Sequence, residues 1–352
     1  VLNICMIGAL LFLTDITGSP GHAMSWGVAA AGVGQCLLLA VAMRNVGMSL
    51  RPTLPRITPQ IKRLLALIAP GALGAGVMQV NLLVGTMIAS LLPTGAVAYL
   101  YYADRLYQLP LGVIGIAVGT ALLPRLAREL RSGDGGAAAH TTNRAIEVAL
   151  LLTLPASAAL LILAGPIVSV LFERGAFTLA DTVETAWTLA AYAAGLPAFV
   201  LVKVLAPAFF AREDTRTPVI VAAWTMAANI VLSVALVFPF EHVGLAMATS
   251  LASWINAGWL AVGLHRRGFL TADRRLLRSV PRLSAASLTM SAALAAVAWP
   301  MTGAMHGGSA VGAGILAAIC IGGAAVFFAM AHLTGAMDFA ELRGHLRRRR
   351  PN

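Results

Sequence analysis

Ten apolar stretches divide this chain, most of them long enough to cross a bilayer as a helix, and they leave little room for a soluble fold. They run roughly over residues 1–14, 22–43, 64–91, 96–123, 148–172, 182–210, 218–238, 243–264, 283–301 and 310–333. About 20 consecutive apolar residues cross the hydrocarbon as a helix. No water is available there, so the backbone must satisfy itself, and windows of this kind become helices rather than lone strands. Only 11% of residues are charged, against about 25% in an ordinary soluble domain. The expected fold class is therefore all-α: a polytopic membrane protein with about ten transmembrane helices. The first window is short and begins without Met or a charged leader, which argues against a signal peptide. The expectation is a chain that starts inside a helix of something longer.

The net charge of +11 would suggest a nucleic-acid partner in a soluble protein. The placement of the charges decides otherwise, and no nucleic acid is expected. Of the 25 basic residues, 22 lie on alternate connections: 44–63, 125–144, 212–216, 265–282 and the tail from Arg343 to Arg350. The intervening loops, ITGSPGH, LPTG, FERGAFTLAD, PFEH and MTGAMHGGS, hold only Arg174. The positive-inside rule then puts the basic loops and the C-terminus in the cytoplasm. Capping of helix ends by cations does not predict such alternation.

Windows one and two read like windows seven and eight. Asn3 aligns with Asn229, and VAMRNVG at 41–47 aligns with VGLHRRG at 262–268, at offsets of 226 and 221. A parallel repeat of six helices is a transporter arrangement. It implies a start roughly 160 residues before Val1, room for four more helices. Three segments follow: 1–63, the last two helices of an earlier lobe plus a Pro-rich basic linker; 64–268, a six-helix lobe; and 269–352, two added helices and a basic tail.

Window four holds the chemistry. YLYYADRLYQLPLGVIGIAVGTALLP, residues 99–124, is apolar except for an adjacent acid and base, Asp104 and Arg105, well inside its ends. Ionisable residues at membrane depth are costly, and by default they mark function. Neighbours in sequence stand about 100° apart around a helix, so these two do not face each other. Each should have its own partner. Pro110 is expected to kink the helix beyond them. Gly112, Gly115 and Gly119 read as packing positions, since no strand precedes them to make a nucleotide loop. Gln79 and Asn81 in window three suit interhelical hydrogen bonds or a cavity lining. Lys203 suits snorkelling to the cytoplasmic interface. The outer stretch 173–184 reads as a solvated turn, and FAREDTRTP at 210–218 as an Asx- or hydroxyl-bonded turn before a helix-starting Pro. Three scattered cysteines and seven histidines show no metal spacing, so no cofactor, metal or catalytic residue is expected. The cytoplasmic acids Glu129, Asp134, Glu213, Asp214 and Asp273 stand mostly beside arginines. They form no acidic cluster for a membrane glycosyltransferase.

YYADRLYQLPLGVIGIAVGTALLPRLAREL, LAGPIVSVLFERGAFT and LVKVLAPAFFAREDTRTPV together resemble the MurJ (MviN) lipid II flippases of the MOP transporter superfamily. The likeness runs from Val1 to about Arg282. It implies a two-lobed fold of fourteen helices, of which this chain would hold helices five to fourteen. It implies transport of lipid II, the undecaprenyl-pyrophosphate-linked disaccharide-pentapeptide, to the outer leaflet for peptidoglycan synthesis. By the same resemblance Arg105 meets the pyrophosphate, Asp104 precedes it in one motif, and Lys203 matches a Lys of the VKVLAP motif. Substrate contacts are thus expected at Arg105, Asp104, Gln79, Asn81 and Lys203. Membrane lipids and cell-wall synthesis proteins are the other expected partners. Two features depart from the family: Gln108 stands where relatives often carry an acid, and relatives often carry an Asp or Asn near Gly85. The remaining cavity arginines belong to helices before Val1. The alternatives are another MOP-type exporter, of drugs or oligosaccharide-lipids, and a non-transporting truncated scaffold. Arg105 argues against a drug exporter, which favours acidic and aromatic cavities.

Overall fold

The computed structural model describes residues 1–47, 58, 59, 61, 62, 79, 83–301, 305 and 310–336. Among them the chain is helical, with no strand. It divides into two compact units, Val1–Ala69 and Pro70–Asn352.

In the first unit α1 (Leu2–Phe12) and the single turn α2 (Thr14–Thr17) lead into α3 (Pro20–Asn45). Ser19 caps α3 by accepting from the His22 N–H at 3.3 Å, with Pro20 in the first turn where its missing N–H costs nothing. α1 packs on α3 through small residues. A Cβ at Gly27 would lie 2.9 Å from the Ala9 Cβ and 3.2 Å from the Cys5 carbonyl. Close backbone approach of this kind is how helices associate in lipid, where no hydrophobic drive separates one apolar surface from another.

The second unit contains a helical stretch at 83–90, then α4 (Ala96–Arg131), α5 (Gly135–Ile162), α6 (Ala164–Phe172), α7 (Leu179–Phe210), α8 (Arg216–Arg266), α9 (Arg274–Met301) and α10 (Ala310–Leu333). α7 is its axis, touching α4, α5, α6 and α8. Leu189, Ala193, Leu196, Val200, Val204 and Phe209 on α7 are fully buried. Pro197 lacks the N–H that would satisfy the Ala193 carbonyl one turn earlier, so that oxygen needs another donor. Ser157 of α5 supplies it at 2.6 Å. Trp254 Nε1 donates to the Ala194 carbonyl at 3.0 Å and Ser250 to that of Ala191 at 2.7 Å. Neighbouring helices thus complete the backbone of a proline-interrupted span.

α8 is two helices, as the sequence windows predict. Glu241, just after Pro239, has φ 48 and ψ −129, and there the chain doubles back. A Cβ at Gly244 would stand 2.2 Å from the Leu236 carbonyl oxygen, so the turn closes only around glycine. At the far end of the same hairpin Arg267 pairs with Asp214 at 2.5 Å. Window five differs from expectation. It is broken at Leu163 into α5 and α6, and α5 begins at Gly135, capped by Asp134 accepting from the Ala137 N–H at 2.7 Å. α9 buries Leu276, Leu283, Ala286, Met290, Leu294 and Ala298, at helical spacing, and packs on α5 and α10. Six of the described helices are long and apolar enough to cross a membrane. Trp224, Phe238, Leu288 and Trp299 are exposed, at 62 to 83% of their surface. Large apolar side chains stand outward in this way where lipid is the solvent. The protein is a multi-pass membrane protein.

Candidate functional site

α4 opens at Gly95, whose φ of 108 only glycine adopts freely, and runs unbroken through Pro110 and Pro124. Around residue 104 its faces separate by character. Ala103, Leu106 and Tyr107 are buried, Asp104 is half-buried, and Arg105 and Gln108 are exposed. Tyr107 stacks on Tyr192 of α7, with centroids 4.8 Å apart, and on Phe199 at 5.3 Å.

Asp104 and Arg105 do not pair with each other. The Asp104 carboxylate accepts from Gln108 Nε2 one turn on and has the Tyr107 hydroxyl as a further hydrogen-bonding neighbour. Arg105 lies over the Tyr101 ring, 4.7 Å from its centroid. That contact suits a guanidinium but leaves its charge uncompensated. Among the described residues no carboxylate stands within 4 Å of Arg105. Gln108, which stands where an acid was expected from the family, thus keeps a second negative charge away from this stripe.

α4 and α7 run side by side in parallel. Tyr99 donates to Asp181 at 2.7 Å, Tyr107 stacks on Tyr192, and Gly115 meets Lys203. Lys203 is exposed, with its aliphatic stem against Gly115. Gln79 is helical and exposed. Asn81 lies outside the described residues.

The stretch 173–184 is more than a solvated turn. Thr178 and Asp181 form a reciprocal cap on α7, Thr178 N–H to Asp181 at 2.7 Å and Asp181 N–H to Thr178 at 3.4 Å. Glu173 accepts from Ser169 at 2.5 Å and from Thr182 at 3.3 Å. Buried His242, in the α8 turn, stands 3.5 Å from Glu184 and packs tilted against Tyr99, with ring centroids 5.1 Å apart. The T-x-x-D spacing at 178–181 was the sequence signal for that cap.

At the basic end sits a cluster that the sequence reading missed. Glu147 of α5, its side chain 9% exposed, pairs with Arg144 and, at 3.4 Å, with Arg275, and accepts from Ser279 at 2.7 Å. Arg144 also holds Asp273 at 2.5 Å, and Asn143 donates to the Thr271 carbonyl at 2.8 Å. The i, i+3 spacing of Arg144 and Glu147 was legible, but their link to α9 was not. The turn 211–217 is built as expected. Asp214 accepts from the Thr217 N–H at 2.9 Å and hydroxyl at 2.6 Å. Those Thr217 bonds, with Arg267 beside them, hold the Asp214 carboxyl down to about 2.

Residues 1–311 match the family model for the lipid II flippase MurJ. The chain belongs to the MurJ family. It is 46% identical over 332 residues to the probable lipid II flippase MurJ of Rhizobium meliloti (strain 1021), covering 93% of this chain and 62% of that protein. To the probable lipid II flippase MurJ of Rhizobium tropici it is 42% identical over 355 residues, covering 99% and 66%. A solved lipid II flippase MurJ in an inward closed conformation superposes with a TM-score of 0.73 at 24% identity, covering 95% of this chain and 65% of that one. That last likeness speaks for the MurJ fold. The chain spans about three fifths to two thirds of the length of the MurJ relatives it matches.

Proposed function

We propose that this chain serves to move lipid II from the inner to the outer leaflet of the cytoplasmic membrane by alternating access, as part of peptidoglycan synthesis. The observation that carries this is Arg105, a cation inside an apolar helix of a MurJ family member with no carboxylate within 4 Å among the described residues. A polyprenyl-linked pyrophosphate carries negative charge that cannot enter hydrocarbon unaided. Arginine stays charged at any working pH and grips phosphate oxygens through two parallel N–H groups. Arg105 then supplies the countercharge while the polar head crosses. Tyr101 orients the guanidinium, and Asp104, held by Gln108, sets its surroundings. Gln79 and Asn81 serve as further polar contacts. The polyprenyl tail stays in lipid, against the apolar cleft of about 370 Å³ between α9 and α10 that Leu294, Val297, Ile319 and Val326 help to line.

The basic connections and the C-terminus face the cytoplasm in this reading. Residues 1–63 close one lobe, 64–268 form the second, and 269–352 are the added pair. No chemical step is involved, so the protein acts as a transporter rather than an enzyme. Membrane lipids and cell-wall synthesis proteins are its other partners. The test is lipid II flipping by vesicles containing the full-length protein with Arg105→Ala. Flipping should fall by about tenfold or more, in line with about 1.5–3 kcal/mol for a hydrogen bond to a charged group. An unchanged rate would remove the role given to Arg105.

A further inference from the structure

The α8 turn delivers a buried histidine to the end of the second unit away from the basic connections. Glu241 has a φ of 48, in which a residue other than glycine stores strain that its surroundings must hold. His242, the next residue, is 4% exposed, and its Nε2 is buried without a hydrogen-bond partner. A buried polar atom left unpaired is costly and asks for a reason. Glu184 Oε2 of α7 lies 3.5 Å from that nitrogen, on a side chain that is 48% exposed. The buried ring thus has an acid in reach that is itself open to solvent. The other charged and titratable groups at this end are accounted for. Asp181 of α7 is taken by Thr178 and by the hydroxyl of Tyr99 from α4, at 2.7 Å each. The Tyr99 ring packs on His242. Glu241 is exposed, and Arg174 donates to the Leu171 carbonyl. Among the described residues Glu184 is the one acid within 4 Å of the His242 ring.

We propose that His242 is a proton-binding site, filled from the solvent at this end past Glu184, and that the charged ring clasps the α8 turn to α7. At 3.5 Å the pair falls short of a charge-assisted hydrogen bond, which is about 2.7–2.9 Å long. A second proton on the imidazole makes both ring nitrogens donors and gives Glu184 a positive charge to meet, so the gap closes. Nothing else is exchanged: the proton comes from water on that side, the ring takes it, and Glu184 stays ionised. Tyr99 extends the clasp to α4, with its ring on His242 and its hydroxyl on Asp181. Arg105 stands six residues further along the same helix, about 9 Å at 1.5 Å per residue. The charged clasp therefore ties together the ends of three helices, one of them the helix that bears Arg105. A carrier working by alternating access must move such ends, so acid on this side slows it. The inference stands apart from the flippase reading, because a clasp between helices is measured without lipid II.

The experiment places nitroxide labels on Val183→Cys of α7 and Phe238→Cys of the α8 turn, both exposed positions, in full-length protein with its own cysteines replaced. Double electron–electron resonance in nanodiscs then reads their separation at about pH 8 and about pH 5.5, either side of the range in which histidine ordinarily gains its charge. The distance distribution should shorten and narrow at the lower pH. With His242→Gln or Glu184→Gln added, it should be the same at both. No change in the labelled parent, or an equal change in both variants, would overturn the clasp. Glu184 is half exposed, so its variant keeps the test decisive if His242→Gln does not fold. In vesicles, lipid II flipping should fall severalfold when acid is added on the side away from the basic connections, and the fall should vanish in both variants. A fall produced from the basic side alone, or kept in both variants, would overturn the proton site and leave the flippase reading standing. Flipping absent at every pH would overturn the flippase reading, and the distance measurement would still decide the clasp.

Discussion

The basic end of the second unit and the α4–α7 face both carry charges in a greasy molecule, yet they are built in opposite ways. At the basic end three acids are matched. Glu147 has Arg144, Arg275 and Ser279, Asp273 has Arg144, and Asp214 has Arg267 and Thr217. On the α4–α7 face neither Arg105 nor Lys203 has a carboxylate within 4 Å among the described residues: Arg105 lies over an aromatic ring and the Lys203 stem lies against Gly115. Matched charges hold helices in place, joining α5 to α9 and closing the α8 hairpin. Unmatched cations cost desolvation without return until an anion arrives. The contrast separates charge used for architecture from charge kept available for a ligand.

The largest effect should come from the matched side. Glu147→Ala removes a buried acid that ties two helices together. Arg144 keeps Asp273 and Arg275 is half exposed, so the loss should lie near the low end of the about 3–5 kcal/mol that breaking a buried pair costs. Denaturant unfolding in detergent should show it, with undecaprenyl-pyrophosphate affinity of the remaining folded fraction unchanged. A loss below about 1 kcal/mol would mean that the cluster is not the tie it is taken for.

The reverse pattern is expected of Arg105→Ala. Affinity for undecaprenyl pyrophosphate should fall by about 1.5–3 kcal/mol, while unfolding stays within about 0.5 kcal/mol of the unaltered protein. A large stability loss would instead make Arg105 a structural residue and collapse the contrast.

The smallest effect belongs to Asp214, which is partly exposed. Asp214→Asn should cost about 1 kcal/mol or less at neutral pH. The Asp214 carboxyl is held down to about 2 in the fold, chiefly by Thr217 and then by Arg267. Its contribution is therefore fully present above the ordinary aspartate range and is lost as pH falls through about 2. The difference in stability between the two proteins should shrink over that acid range. A constant gap down to pH 2 would show that the turn does not depend on the ionised carboxylate.

Much of this was legible along the chain. Periodic apolar windows over about 20 residues fix helices because hydrocarbon offers the backbone no other partner. The hairpin at Pro239–Glu241, the Asx turn at Asp214 and the separation of Asp104 from Arg105 were each set by local chemistry, within a turn or two of helix. The tie from Glu147 to Arg275, the donation of Ser157 to the carbonyl freed by Pro197 and the meeting of Lys203 with Gly115 were not. Their partners lie 128, 36 and 88 residues apart, respectively. No periodicity encodes which helix will stand beside which. The sequence by itself determined that this is a bundle of membrane helices with a charge at depth in α4, because burial in lipid is decided residue by residue. Only the tertiary structure decided which charges are neutralised by neighbours and which stay open, because pairing depends on helix packing.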